Sequence, residues 1–143
     1  RPVEQRPSHT GAMAFRQATH PFQQRWLAAE LSRRTYDTTI QALAELKQDA
    51  EPGLVGLYTF HLGEAHRRRG KSGDRERAAA LYAEALTHAD PPPAAWREHG
   101  MLLRESGDRT GAIDALRRYL EAASDADDVS VVRHYLDRLE QTP

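Results

Sequence analysis

Two stretches decide the fold: GEAHRRRG at positions 63–70 and GMLLRESG at positions 100–107. Each begins and ends with Gly, and each is followed by an Asp and, four residues later, an Ala. The two Asp-Ala pairs, at 74 and 78 and at 108 and 112, lie 34 residues apart, with a three-residue insertion at 71–73 in the first copy. A period of this length predicts repeats that each consist of one helical hairpin.

The small residues of each copy stand where two crossing helices require them. Gly63 and Gly100 are expected at the close approach of the two helices, because a side chain there would push them apart. Ala78 and Ala112 are expected as the matching small residues on the second helix. The full set of predicted packing residues is Trp26, Leu62, Gly63, Ala78, Tyr82, Trp96, Gly100, Ala112 and Leu116.

The residues between the helices are typical of helix ends. Gly70 and Gly107 are expected to end a first helix in the left-handed conformation. Asp74 and Asp108 are expected to cap the helix that follows by accepting from its first N–H groups. Three consecutive Pro residues at 91–93 end one repeat and begin the next, because Pro fits only the first turn of a helix.

The composition of the 143-residue chain favours an all-α fold. The good helix formers Ala, Leu, Arg and Glu are common, whereas the β-branched Val and Ile are scarce. The net charge is −1, from 20 basic and 21 acidic residues, which argues against a nucleic-acid-binding protein. The absence of Cys excludes disulfides and thiolate metal sites, and no apolar stretch approaches the roughly 20 residues that span a bilayer.

We expect two regions along the chain. Residues 1–19 carry scattered Pro and Gly without a steady period, which indicates an N-terminal arm or the tail of an upstream region. Because the chain opens on Arg1 rather than Met, we expect a processed form or part of a longer protein. The predicted helical domain covers 20–143, with hairpins at about 21–48, 54–88 and 93–122 and a capping helix at about 129–141.

The repeated pattern resembles the tetratricopeptide repeat, W-x2-L-G-x2-Y followed by A-x3-F-x2-A. The second copy matches through Trp96, His99, Gly100, Leu103, Ala112, Leu116 and Tyr119, and the first, over 59–85, has Thr59 in the Trp position. A weaker copy precedes them, with Leu27 in the Gly position and Thr39 in the Ala position, so that the resemblance covers about residues 20–122. It implies antiparallel hairpins stacked as a short right-handed superhelix, whose concave face is lined by the first helix of each hairpin.

A narrower resemblance is to the helical C-terminal region of bacterial CAAX-prenyl-protease-like zinc metalloproteases. It is carried by residues 63–70 and by Tyr119-Leu120, Asp125, Asp127-Asp128 and Tyr135-Leu136. It implies a periplasmic or cell-envelope protein and a place behind a catalytic domain with an HExxH zinc motif. The chain holds none of that domain's zinc ligands. The resemblance therefore implies an accessory, substrate-handling region.

No arrangement of residues in the sequence predicts catalysis. A zinc protease motif needs two His four residues apart with a Glu between them as the base. His61 and His66 are five apart, which places them about 140° apart around a helix. The sequence has no Gly-rich phosphate loop and no nucleophile elbow. We therefore predict no catalytic residue, no metal site and no cofactor.

The predicted functional surface is the concave face of the two repeats. The residues expected to face outward there are Phe60, Glu64, Arg67, Arg68, Arg97, Met101 and Arg104. Four Arg with two apolar side chains suit a peptide of acidic character with an apolar anchor, because Arg pairs with carboxylates in bidentate fashion. Docking of a neighbouring domain, or dimerisation of the chain, is the alternative use. Nucleic acid is not expected, since no aromatic side chains alternate with the basic run at 67–77.

Overall fold

The computed structural model describes residues 36–141, and this part of the chain is all-helical, as its composition predicted. Six helices follow one another in this range: α1 (Tyr36–Gln48), α2 (Pro52–Arg69), α3 (Asp74–Ala85), α4 (Pro93–Glu105), α5 (Arg109–Ala122) and α6 (Val129–Gln141). The predicted arm at 1–19, the first helix of the first predicted hairpin and Trp26 lie outside the described residues.

Short-range chemistry sets the helix ends. Pro93 opens α4, with Pro92 as its N-cap. Gly70 ends α2 in the left-handed conformation at φ 71°, and its N–H donates to the carbonyl of His66 at 3.1 Å. Asp108 caps α5 as expected, because its carboxylate accepts from the N–H of Gly111 at 2.9 Å.

The prediction that Asp74 caps α3 is wrong. The N-cap of α3 is Gly73, at φ 86°, and Asp74 is already the first helical residue. The insertion at 71–73 causes this difference, because it adds a turn before the helix. The carboxylate of Asp74 faces back over that turn and accepts from the N–H of Lys71 at 2.9 Å.

The core consists of three apolar clusters between helices that follow one another along the chain. The first joins α1, α2 and α3 through Leu43, Leu46, Leu57, Tyr58, Leu62, Ala65 and Leu81. The second joins α2, α3 and the start of α4 through Phe60, Ala78, Tyr82, Ala85 and Ala95. The third joins α5 and α6 through Leu116, Tyr119, Val132 and Leu136, with Trp96 and Met101 from α4 packed against it.

Two glycines lie at close contacts between helices. A Cβ atom at Gly63 would stand 2.9 Å from Cε1 of Tyr82, and one at Gly100 would stand 2.8 Å from Cδ2 of Leu116. Carbon atoms in contact normally stay about 3.5 Å apart or more, so neither position has room for a side chain. The nearest atoms belong to the side chains of Tyr82 on α3 and Leu116 on α5. They do not belong to Ala78 and Ala112, which are themselves fully buried.

Candidate protein-binding face

Glu64 is the centre of a polar cluster on α2. Its side chain is buried, although the sequence pattern placed it on an open face. The hydroxyl of Tyr82 donates to Glu64, and Nη2 of Arg67 donates to both Glu64 oxygens at 3.2 Å. Nε of Arg67 also donates to the Tyr82 hydroxyl oxygen at 3.0 Å. The burial of Tyr82, together with the adjacent Glu64 carboxylate, raises its pKa far above the ordinary value, so the hydroxyl remains a donor at neutral pH.

Ion pairs continue from this cluster onto α4 and the residues just before α6. Nη2 of Arg67 lies 3.5 Å from Oε1 of Glu98 on α4, and Nε of Arg97 lies 2.8 Å from Oε2 of the same Glu98. Nη1 of Arg97 then lies 3.1 Å from Oδ2 of Asp128, and the hydroxyl of Tyr119 donates to Oδ1 of the same carboxylate. We call the six charged residues of this series the charge ladder: Arg68, Glu64, Arg67, Glu98, Arg97 and Asp128.

The charge ladder makes this face less basic than the sequence indicated. The charges of its three Arg and three carboxylates cancel. Glu98 and Asp128 pair with Arg67 and Arg97, which the sequence pattern had predicted to be unpaired. Arg68 is the most open Arg of the ladder, with a side chain 47% exposed, against 29% for Arg97. A partner of this face would therefore meet paired charges, of which Arg68 is the easiest to reach.

The position of Phe60 also differs from the expectation. It is 5% exposed and packs with Tyr82 and with Ala95 of α4, so it is not an apolar anchor on an open face. The reason is that α2 contacts α1 and α3, while Ala95 of α4 also reaches Phe60, so this helix has little free surface near its middle.

Met101 and Arg104, the last two residues predicted to line the face, lie on α4 outside the charge ladder. Met101 is half-buried against the cluster around Leu116. Arg104 is exposed, and its guanidinium lies 4.5 Å from the ring centroid of Tyr135 on α6, a cation–π contact. The structure thus brings Glu64, Arg67, Arg68 and Arg97 into one network and leaves Met101 and Arg104 as a separate pair.

A second polar cluster, which the sequence did not reveal, joins α1, α2 and α3 around Asp74. Arg69 donates to both Asp74 oxygens at 2.8 Å and to Oδ1 of Asp37 on α1 at 2.9 Å. Nδ1 of His66 lies 3.1 Å from Oδ1 of Asp74. The hydrogen bonds from Arg69 above all, with those from His66 and the Lys71 N–H, hold the pKa of Asp74 well below its usual range.

The depressed pKa of Asp74 predicts an acid-dependent loss of stability. Because the folded pKa lies below the ordinary value of 3.8, the stabilisation is complete above that value and is lost as the pH falls toward the folded pKa. We expect Asp74→Asn to melt at a lower temperature than the parent at pH 7. Between about pH 5 and pH 2 the melting temperature of the parent should fall more steeply than that of the variant.

The control for this experiment is Asp114→Asn, which removes an exposed carboxylate whose partner, Arg118, lies on the same helix. Its melting temperature should follow the parent at every pH, since exposed ion pairs contribute little. Parallel curves for the parent and Asp74→Asn would contradict the role of Asp74.

Over 36–141, no group of three or more His, Asp or Glu side chains is placed to hold a metal ion. In the same range no helix has the length and apolar character that crossing a membrane requires.

The chain matches no protein-family model and no curated protein.

Proposed function

We propose that this chain is a non-enzymatic protein–protein interaction module of the tetratricopeptide type. In this proposal α2–α3 and α4–α5 are stacked hairpins of a short right-handed superhelix, and α6 caps the stack. The charge ladder is the observation that supports it, because the ladder runs from α2 to α4 and on to Asp128 just before α6. Those are the elements that would line a concave face.

The proposed ligand is a peptide, or a segment of a neighbouring domain, with acidic character and an apolar side chain. Arg104 contacts an aromatic ring rather than a carboxylate, and Arg68 is half exposed at the end of the ladder. Both can take a ligand carboxylate, while the partly exposed side chain of Met101 on α4 offers an apolar contact. Dimerisation of the chain through the same face is the competing use.

Peptide titration tests this proposal. An acidic peptide with one central Leu and its Gln-substituted counterpart are titrated at low and high salt, and the oligomeric state is measured in parallel. We expect the acidic peptide to bind more tightly, with an affinity that falls as salt rises. Arg68→Ala and Arg104→Ala should each weaken binding by about two- to fivefold.

The matched control is Arg77→Ala, which removes an exposed Arg from α3, outside the face. It should leave the affinity unchanged. Equal binding of the two peptides, or binding of neither, would overturn the proposal. A concentration-dependent dimer that Arg104→Ala dissociates would favour dimerisation instead.

A second candidate is the accessory, substrate-handling C-terminal region of a bacterial envelope zinc metalloprotease. The specific observation is the resemblance carried by residues 63–70 and by the series from Tyr119 to Leu136. An HExxH motif in the upstream reading frame would favour this candidate, and a stop codon there would favour a free-standing module. Under both candidates the chain alone should hydrolyse no peptide.

A further inference from the structure

A cleft opens between α3 and α4, at the end of the interface away from the connection at 86–92. Its volume is about 340 Å³, and it is lined by Arg75, Glu76, Ala79, His99, Leu102, Leu103, Glu105 and Ser106. Ligand pockets in proteins begin at about 300 Å³, so the cleft has room for a small molecule. It involves none of the residues of the charge ladder.

The cleft exists because the α3 residue that faces α4 at this end of the interface, Ala79, has a small side chain. Toward the other end of the interface, Tyr82 and Ala85 pack directly with Ala95. At the open end α3 offers Ala79, whose methyl group does not reach far enough to cover Leu102 and Leu103 of α4. All three side chains are only half-buried. They form an apolar floor that the protein itself leaves partly uncovered.

The rim of the cleft carries an excess of negative charge. Arg75 pairs with Glu105 across the mouth, which cancels one charge of each sign. Glu76 is exposed and has no counter-charge within ion-pair distance among residues 36–141. Burial lowers the pKa of His99, against a weaker opposing effect of Asp108, so the imidazole is neutral at pH 7. One carboxylate, that of Glu76, is left to attract a cation.

We propose that this cleft binds a small amphipathic amine, with the apolar part on Ala79, Leu102 and Leu103 and the ammonium group beside Glu76. The Arg75–Glu105 pair, with side chains 59% and 42% exposed, is no barrier to entry, because exposed ion pairs are weak and exchange readily.

Three probes with the same eight-carbon chain test the proposal: n-octylammonium, n-octanol and n-octanoate. Each is titrated into the full chain by calorimetry, with the backbone amide shifts of residues 75–79 and 99–106 as the site readout. We expect n-octylammonium to bind most tightly and n-octanoate least tightly. Glu76→Gln should weaken n-octylammonium binding by about two- to fivefold and leave the affinity for n-octanol unchanged. The control, Glu121→Gln, replaces an exposed Glu on α5 and should change neither affinity.

The shape of the cleft is tested by filling it. Ala79→Leu should abolish binding of all three probes, and Ala80→Leu, at the exposed neighbouring position on α3, should not. If Ala79→Leu fails to fold, the comparison of Glu76→Gln with Glu121→Gln decides alone. The proposal is overturned if no probe saturates, if n-octanoate binds as tightly as n-octylammonium, or if a folded Ala79→Leu binds like the parent.

Discussion

Gly100→Leu is expected to lower the free energy of unfolding by about 3 kcal/mol. At Gly100 even a Cβ atom would lie 2.8 Å from Cδ2 of Leu116, 3.0 Å from its Cγ and 3.2 Å from Cβ of Ala115. Leu116 is itself fully buried, so it has no open space into which it can turn. The larger side chain must therefore push α4 away from α5. Chemical or thermal unfolding followed by circular dichroism measures the effect.

The matched control is Gly53→Leu, because a Cβ atom at Gly53 meets nothing within 4 Å. In the first turn of α2 this substitution should change the stability by less than about 1 kcal/mol, in the direction of greater stability, since Gly is a poor helix former. Gly100→Ala should fall between the two. A melting temperature of Gly100→Leu equal to that of the parent would show that α4 and α5 are not in the described contact.

The helices could be predicted from the sequence because their limits depend on local chemistry. Pro93 can only begin a helix, and Gly70 ends one by adopting a conformation that other residues avoid. The Gly residues at 63 and 100 could be placed because only close contact explains Gly in the middle of a helix. Their contact partners, Tyr82 and Leu116, could not be chosen over the Ala residues, since spacing does not give the rotation of one helix against another.

The charge ladder could not be predicted, because its pairs depend on how separate helices are aligned. Arg97 and Asp128 are 31 residues apart in sequence, and Arg67 reaches Glu98 on another helix. The error at Phe60 has the same origin. The spacing of residues along α2 shows which of them share a face of the helix, but it does not show which neighbouring helices cover that face. Asp74 and Asp108 share an offset of 34 and yet act differently, since three added residues change the turn before one of them.

The second large effect is expected from removal of the charge of Glu64, the buried carboxylate of the ladder. Glu64→Gln keeps the shape of the side chain but removes the negative charge that Arg67 and Arg68 face. The breaking of a buried ion pair costs about 3–5 kcal/mol. Because the two Arg side chains are 36% and 47% exposed, water screens part of this loss. We expect a decrease of about 2 kcal/mol in the free energy of unfolding, measured by urea titration.

Tyr82→Phe distinguishes the contribution of the Glu64 charge from that of the hydrogen bond that the Tyr82 hydroxyl donates to Glu64. Loss of the Tyr82 hydroxyl should cost about 1 kcal/mol, because Glu64 retains its two contacts with Arg67. The double variant should lose less than the sum of the two single variants, since both act on one network. Glu121→Gln, on an exposed carboxylate of α5, should remain within about 0.5 kcal/mol of the parent. If Glu64→Gln is no less stable than Glu121→Gln, the polar cluster of Glu64, Arg67 and Tyr82 does not hold α2 and α3 together, and the charge ladder that continues from this cluster loses its structural basis.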